Sequence, residues 1–211
     1  GTLGIAVGMA SNIPPHNLRE VCSAAVHLIE NPDSTNEDLL QFVQGPDFPT
    51  AGAIYDINEI RNAYATGRGK IIIRGKAEIE EIANGKSAIA ITELPYQVNK
   101  ANLVARIADL VKDKKLDGIS DLRDESDRRG IRVWIELKRD AQPNKVLNNL
   151  YKFTELQTSF PVNVVALVDG TPRTLTLREI LEEYLKHRHS VIRRRSEFEL
   201  KEAKAREHIL E

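Results

Sequence analysis

The chain has a single cysteine, no long hydrophobic run and no excess of either charge, and each absence excludes a class of protein. One cysteine in 211 residues, Cys22, excludes an internal disulfide framework and is typical of a reducing compartment. The longest apolar runs are too short to span a bilayer, and the first residues show no signal-peptide pattern. We therefore expect a cytoplasmic protein. Because Cys22 lies in an apolar helical stretch, we expect its thiol to be buried and unreactive.

Motifs of catalysis are absent as well. The sequence contains no phosphate-binding Gly-x-x-x-x-Gly-Lys-Ser/Thr loop, no His-Glu-x-x-His, no cysteine pair and no Gly-x-Ser-x-Gly. The acidic stretch 121–127 lacks the spacing of a calcium loop and is interleaved with arginines, which favours an ion-paired strand and turn over a metal site. We predict no catalytic residue and no metal site in this chain.

The residues that are present suffice for a folded domain. The chain is 41% hydrophobic and 29% charged, with a net charge of −1, so it can bury a core and has no global basic signature for nucleic acid. The charges are unevenly distributed, however, because basic residues gather at 68–76 and 186–195. Residue 1 is not methionine and residue 211 falls inside a helical pattern, so we expect a piece of a longer protein.

Hydrophobic periodicity predicts an α+β fold with a mainly antiparallel sheet. Helical spacing recurs after Pro15, after Asp56 and after Asn99, and a capping box is expected at Ser34 with Glu37. Turns at Asn84-Gly85 and Asp169-Gly170 predict two hairpins. Strands that return through such turns, with helices between them, are typical of the α+β class.

The strand that leads into the first of these turns separates apolar from basic side chains. Its apolar positions, expected in the core, are Ile71, Ile73, Ala77 and Ile79. Its basic positions are Arg68, Lys70, Arg74 and Lys76. We call these four residues the cationic row. A solvated outer face and a surface for a phosphate backbone are both consistent with it.

The first residues form a stretch that ends at a pair of prolines. Residues 4–13 are mostly small or apolar and end at Pro14-Pro15, and Gly4 and Gly8 mark places where the backbone can approach another group closely. From the pattern alone, residues 4–8 are expected to form a short buried strand with Ile5 in the core.

The C-terminal part is predicted to be one long helix of coiled-coil type. Thr176 and Glu179 form a capping box, and no helix breaker follows it. A run of ~36 residues would span ~54 Å at ~1.5 Å per residue. The heptad seam is incomplete, and the basic run 186–195 is best interpreted as an exposed helix face. From the residues alone, a DNA-facing structural module and a protein-assembly module both remain open.

Six motifs closely resemble those of the A subunits of bacterial type IIA topoisomerases, and together they cover essentially the whole chain. Within this family they are most similar to the gyrase branch, with topoisomerase IV as the near alternative. The motifs are GIAVGMASNIPPHNLREV (4–21), VQGPDFPTAG (43–52), GRGKIIIRGKAEIE (67–80), the stretch from LPYQVNK to WIELKRDA (94–141), VLNNLYKFTELQTSF (146–160) and LREILEEYLKHRHSVIRRR (177–195).

The resemblance implies a division into three domains and an activity. Residues 1–14 would end a winged-helix DNA-gate domain, 15–175 would form a tower domain, and 176–211 would begin the long coiled coil. The family cuts one duplex with an active-site tyrosine that follows an arginine, passes another duplex through the break and reseals it. No Arg-Tyr pair occurs here, so the piece would be inactive alone. Its five tyrosines all lie in other motifs.

The resemblance also implies which residues contact DNA. Ile5 corresponds to the isoleucine that wedges between base pairs and helps to bend the gate duplex. Ser11 and Asn12 are then expected at phosphates or sugars, because short polar side chains commonly serve there. The cationic row, with Arg68, Lys70, Arg74 and Lys76, would hold the outer arms of the bent duplex.

Cofactors and partners follow from the resemblance too. Mg²⁺ and ATP would be supplied by the B subunit, and none would bind to this piece. The expected partners are double-stranded DNA, a second copy of the same chain, and the B subunit in an A2B2 assembly. The alternative is a dimerisation or scaffold piece without a DNA contact of its own.

Overall fold

The computed structural model describes residues 1–210 and has the expected α+β architecture. The helices are α1 (Leu18–Glu30), α2 (Asn36–Leu39), α3 (Ile57–Thr66), α4 (Lys100–Lys112), α5 (Pro143–Phe153) and α6 (Leu177–Leu210). The strands are β1 (Thr2–Ala6), β2 (Met9–Ile13), β3 (Ala53–Ile54), β4 (Arg68–Arg74), β5 (Lys76–Ile82), β6 (Lys86–Glu93), β7 (Ile119–Asp124), β8 (Val133–Leu137), β9 (Gln157–Asn163), β10 (Val165–Val168) and β11 (Thr171–Thr174).

Contacts divide the chain into two compact units. Unit 1 comprises residues 1–46, 61–68 and the chain from Asn163 onwards, and unit 2 comprises residues 47–60 and 69–162. The domain boundaries expected from the family resemblance remain a prediction. In the part of the chain that the structure describes, no helix is long and apolar enough to cross a membrane.

The first residues of unit 1 form an exposed hairpin, not the buried strand expected at 4–8. Strands β1 and β2 pair antiparallel, and Val7 and Gly8 form the turn between them. Gly8 has a φ of +81°, which glycine adopts without steric cost. All five residues of β1 are exposed. The expectation was wrong because the turn lacks the Asn-Gly or Asp-Gly signal by which short hairpins are found.

Helices α1 and α2 form the next layer of unit 1. The Asn17 side chain caps α1 by accepting from the backbone N–H of Arg19, and α1 packs against α2 and α6. Cys22 is exposed, contrary to expectation, because the neighbouring helices cover only the side of α1 that carries Ala24 and Leu28. The capping box of α2 lies one residue later than expected, at Thr35 with Asp38, where both reciprocal hydrogen bonds form.

Helix α6 begins with the expected capping box, and most of its length is not covered by other elements. Glu179 accepts from the backbone N–H of Thr176, and the Thr176 hydroxyl accepts from the backbone N–H of Glu179. Of the residues on α6, only Leu177 and Leu181 are buried, both in the first turns. Further along, ion pairs join residues on adjacent turns of the same helix: Lys186 to Glu183, Arg193 to Glu197, and Arg195 to Glu199.

Unit 2 is built on a four-stranded antiparallel sheet in the order β5-β6-β8-β7. The turn at Asn84-Gly85 joins β5 to β6 as the sequence predicts, and both residues have positive φ. One face of the sheet packs on α4 and α5. The core side chains there include Ile89, Ile91, Leu103, Ile107, Leu110, Val133, Ile135, Leu137, Val146 and Leu150.

The cationic row does not lie on one strand, because the predicted strand is interrupted at Gly75, between β4 and β5. Strand β4 pairs in a different sheet from β5, and the backbone N–H of Gly75 donates to the Leu156 carbonyl at 2.8 Å. A Cβ at Gly75 would lie 2.5 Å from the Glu93 carbonyl oxygen, so only glycine fits there. Ile71 and Ile73 are buried as expected, but Ile79 is 38% exposed because β5 is the edge strand of its sheet.

The acidic stretch 121–127 is ion-paired, as its interleaved arginines predict. Arg123 bridges Asp121, Glu125 and Glu136, and Lys100 lies 2.8 Å from Asp124. The hydrogen bond from Lys100, aided by Ser126, lowers the pKa of Asp124 to about 2. Among residues 1–210 no group of histidine, cysteine and carboxylate side chains is positioned to hold a metal ion.

Candidate nucleic-acid interface

The β1–β2 hairpin presents large apolar side chains to solvent. Ile5 is 86% exposed, and Leu3, Val7 and Met9 on the same hairpin are also exposed. Exposed apolar side chains that gather on one element mark an interaction surface more often than single ones do. The interpretation of Ile5 as a core residue is therefore wrong, and its side chain is available to a ligand.

The register of the hairpin determines which side chains lie on the same face as Ile5. Ile5 is paired with Ala10, Leu3 with Asn12, and Gly4 with Ser11. Paired residues share a face and successive residues alternate between faces. Asn12 therefore lies on the same face as Ile5, whereas Ser11 lies on the opposite face.

Ser11 has a structural partner inside unit 1. Its hydroxyl donates to the Val165 carbonyl at 2.9 Å, and the Asn163 side chain donates to the Ala10 carbonyl at 2.6 Å. These two bonds fasten β2 to the polypeptide around β10. A phosphate contact by Ser11 stays a prediction, and it would require the hydroxyl proton to turn from the Val165 carbonyl to a phosphate oxygen, because a phosphodiester only accepts hydrogen bonds.

The second hairpin of unit 1 extends the apolar surface. Strands β10 and β11 join at Asp169-Gly170, as the sequence predicts, and both turn residues have positive φ. An open groove of about 360 Å³ lies between the two hairpins. Its lining is mainly apolar and includes Ile5, Met9, Val165, Leu167 and Pro172.

The four cations of the row have different surroundings. Arg68 and Lys70 are exposed on β4, where Ile71 and Ile73 point into the core. Lys76 is exposed on β5 and lies 3.3 Å from the Glu78 carboxylate. Because an exposed pair of this kind contributes little energy, it leaves Lys76 able to exchange partners.

Arg74 is held by other side chains of unit 2. Its Nε donates to the Gln157 side chain at 2.6 Å, and its guanidinium carbon lies 4.9 Å from the ring centre of Tyr55 and 5.0 Å from that of Tyr151. Burial raises the pKa of Tyr151. The two rings fix the position of the guanidinium through cation–π contacts, so Arg74 contributes to packing as well as to charge.

The site residues divide between the two units. Ile5, Ser11, Asn12 and Arg68 belong to unit 1, and Lys70, Arg74 and Lys76 belong to unit 2. The sequence did not reveal the ring pair that holds Arg74, because Tyr55 and Tyr151 come from distant segments. Nor did it reveal the groove beside Ile5, since this depends on the placement of the β10–β11 hairpin.

Comparison with known proteins gives a consistent result over the whole chain. Residues 1–211 match the family of the DNA gyrase/topoisomerase IV A subunits. The chain is 60% identical over 211 residues to the DNA gyrase A subunit of Clostridium acetobutylicum, and the match covers 100% of the chain and 25% of that protein. It is 57% identical over 213 residues to the DNA gyrase A subunit of Dehalogenimonas lykanthroporepellens, covering 100% of the chain and 26% of that protein.

A third relative gives a similar identity over the whole chain. The DNA gyrase A subunit of Pseudomonas aeruginosa is 56% identical over 213 residues, covering 100% of the chain and 23% of that protein. The chain thus spans about a quarter of the length of these relatives. With every one of its residues inside the matched region, the chain belongs to the family of DNA gyrase/topoisomerase IV A subunits.

Proposed function

We propose that this chain is the part of a DNA gyrase A subunit that binds and bends the gate DNA during ATP-dependent strand passage and negative supercoiling. The observation that carries the proposal is the exposure of Ile5, at 86%, on a hairpin that unit 1 fastens in place. Family membership and the gyrase relatives support the choice of enzyme. The chain has no nucleophile of its own in this proposal, and the chemistry of cleavage lies elsewhere in the full-length protein.

In this proposal Ile5 acts as a wedge between neighbouring base pairs. An apolar side chain inserted at a base step costs a few kcal/mol of stacking, and the bent duplex repays this cost by touching more protein surface. Gly4 has nothing within 4 Å of the position that a Cβ would occupy, so no protein atom covers that side of the backbone next to Ile5. Asn12, on the same face as Ile5, is placed to contact a sugar or phosphate.

In the same proposal, the cationic row holds phosphates in the outer arms of the bent duplex. We expect Lys70→Ala in the full-length protein to weaken DNA binding equally for all sequences and to reduce the slope of log K against log salt by about 1, as expected for the loss of one phosphate contact. Binding titrations across a range of salt concentrations measure both effects. Lys112→Ala, which removes an exposed lysine of α4, is the matched control and should leave the slope unchanged.

Arg74 should behave differently from Lys70 in the same titrations. Because its guanidinium packs between Tyr55 and Tyr151, Arg74→Ala removes packing together with charge. Lys70 is the cleaner probe for this reason. If Lys70→Ala and Lys112→Ala give the same salt slope as the unaltered protein, β4 is only a solvated face.

We further propose the assembly and cofactors of gyrase for the full-length protein. Two A subunits and two B subunits would form the working enzyme in the cytoplasm, and the B subunits would supply the Mg²⁺ and ATP sites. The purified full-length protein, mixed with ATP, Mg²⁺, relaxed circular DNA and its B subunit, should introduce negative supercoils. Decatenation without supercoiling would instead identify topoisomerase IV.

A further inference from the structure

Helix α1 carries more apolar surface than its neighbours cover. At 100° per residue, its apolar side chains occupy an arc of roughly 200° around the helix, about twice the width of a usual core-facing stripe. The covered part of the arc carries Ala24 and Leu28, which are buried. The uncovered part forms a continuous row one helical turn apart, which we call the outer stripe: Leu18, Cys22, Val26 and Ile29.

The outer stripe is open to solvent along its whole length. Leu18 is 76% exposed, Val26 is 53% exposed and Ile29 is 61% exposed, and Cys22 between them is exposed as well. From Leu18 to Ile29 the stripe is ~16 Å long at ~1.5 Å per residue. Arg19, Ser23 and Glu30 border it on one side, so it has the apolar centre and polar edge of a helix–helix contact.

The position of Gly1 indicates what covers this stripe. A Cβ on Gly1 would lie 3.0 Å from Pro15 Cδ, and Pro15 stands two residues before Asn17, the cap of α1. Polypeptide that precedes Gly1 would therefore enter unit 1 beside Pro15, three residues before Leu18 at the start of the stripe. Polypeptide that follows α6 would leave from the far end of a helix of 34 residues, ~50 Å from its own start.

We propose that the outer stripe of α1 is the docking surface for an apolar-faced segment of the same full-length protein that precedes Gly1. The matched relatives have about three quarters of their length outside the region that this chain covers, so a full-length protein of similar length has polypeptide outside residues 1–211 from which such a segment can come. The proposal concerns packing within one polypeptide and does not depend on the proposed DNA contacts. Cys22, in the middle of the stripe, is a direct reporter of coverage.

The first test measures the thiol of Cys22 in the full-length protein, with any cysteine outside residues 1–211 replaced by serine. Cys22 should react with a maleimide at least ten times more slowly than the control thiol of Lys112→Cys in a Cys22→Ser background, because Lys112 is exposed on α4. Leu18→Glu and, separately, Ile29→Glu should restore fast labelling of Cys22 by displacing the segment. Both side chains are exposed in unit 1, so these variants should retain its fold.

The second test identifies the segment. A photoreactive p-benzoylphenylalanine in place of Arg19, at the polar edge of the stripe, should crosslink to residues that precede Gly1, as read by mass spectrometry of the digested protein. The proposal is overturned if Cys22 reacts as fast as the control thiol. Crosslinks to residues after Glu211 would overturn it equally. So would protection of Cys22 that is lost on dilution, which would indicate a second copy of the chain, or protection of Cys22 that appears only when the B subunit is added.

Discussion

Replacing Ile5 by alanine in the full-length protein, together with its B subunit, is expected to reduce bending of the gate DNA and to lower cleavage at least tenfold. A tenfold loss corresponds to about 1.4 kcal/mol, which lies within the few kcal/mol that an inserted side chain exchanges with an unstacked base step. Energy transfer between fluorophores at the two ends of the duplex measures bending. The fold should survive, because a side chain that is 86% exposed contributes little to the core.

Two companion variants separate the wedge from general apolar contact. Leu167→Ala removes a side chain that is 71% exposed on the neighbouring hairpin and should leave bending unchanged. Ile5→Met keeps an apolar side chain of similar reach and should retain most of the bending. Bending that is unaltered by Ile5→Ala would show that this hairpin does not intercalate.

Replacing Gly67 by alanine is expected to destabilise the chain by about 3 kcal/mol, the largest effect on stability that a single added methyl group should produce here. Gly67 follows α3 with a φ of +74°, which costs an alanine roughly 1–2 kcal/mol. The added Cβ would also press on the Leu175 carbonyl oxygen and lie 2.8 Å from Thr174 Cγ2. The backbone there cannot yield easily, because the Val164 N–H donates to the Gly67 carbonyl at 2.8 Å.

Gly170→Ala is the matched control for this effect. Gly170 has a nearly equal φ of +79°, but nothing lies within 4 Å of its Cβ position. Its replacement should therefore cost only the backbone strain, roughly 1–2 kcal/mol. Thermal unfolding followed by circular dichroism should show a clearly larger drop in Tm for Gly67→Ala, since each kcal/mol shifts Tm by about 2–4 °C in a protein of this size. Equal drops would mean that the crowding around Gly67 relaxes at no cost.

Elements that depend on local chemistry were predictable from the sequence. The Asn84-Gly85 and Asp169-Gly170 turns, the helix that begins after Asn99 and the box at Thr176 and Glu179 all form as expected, because neighbouring residues supply both partners. Family membership was also predictable, because long motifs occur along the entire chain.

Features that depend on distant segments were not predictable. Whether a strand continues through Gly75 is decided by the carbonyls of Glu93 and Leu156, which come from elsewhere in the chain. Cys22 was expected to be buried because periodicity reports which residues are apolar, not how much of that surface a neighbour covers.

The candidate site shows the same division between local and distant information. Alternation along β4 correctly indicates that Arg68 and Lys70 are exposed opposite a buried face. The two rings around Arg74 carry no sequence signal, because cation–π contacts have no fixed spacing in the chain. That Ile5 is exposed follows from the hairpin turn at Gly8, a geometry for which sequence patterns offer weak evidence.

The ion pairs along α6 change how the basic run 186–195 acts at a distance. The sequence suggests a concentrated positive charge there, but Arg193 and Arg195 each face a glutamate one turn further on, at 3.0 and 2.7 Å. A charge beside its opposite has a field that falls off as that of a dipole, and salt at physiological strength screens exposed charges beyond about 8 Å. A passing polyanion would therefore sense Arg193 and Arg195 only at near contact, not as long-range electrostatic attractors.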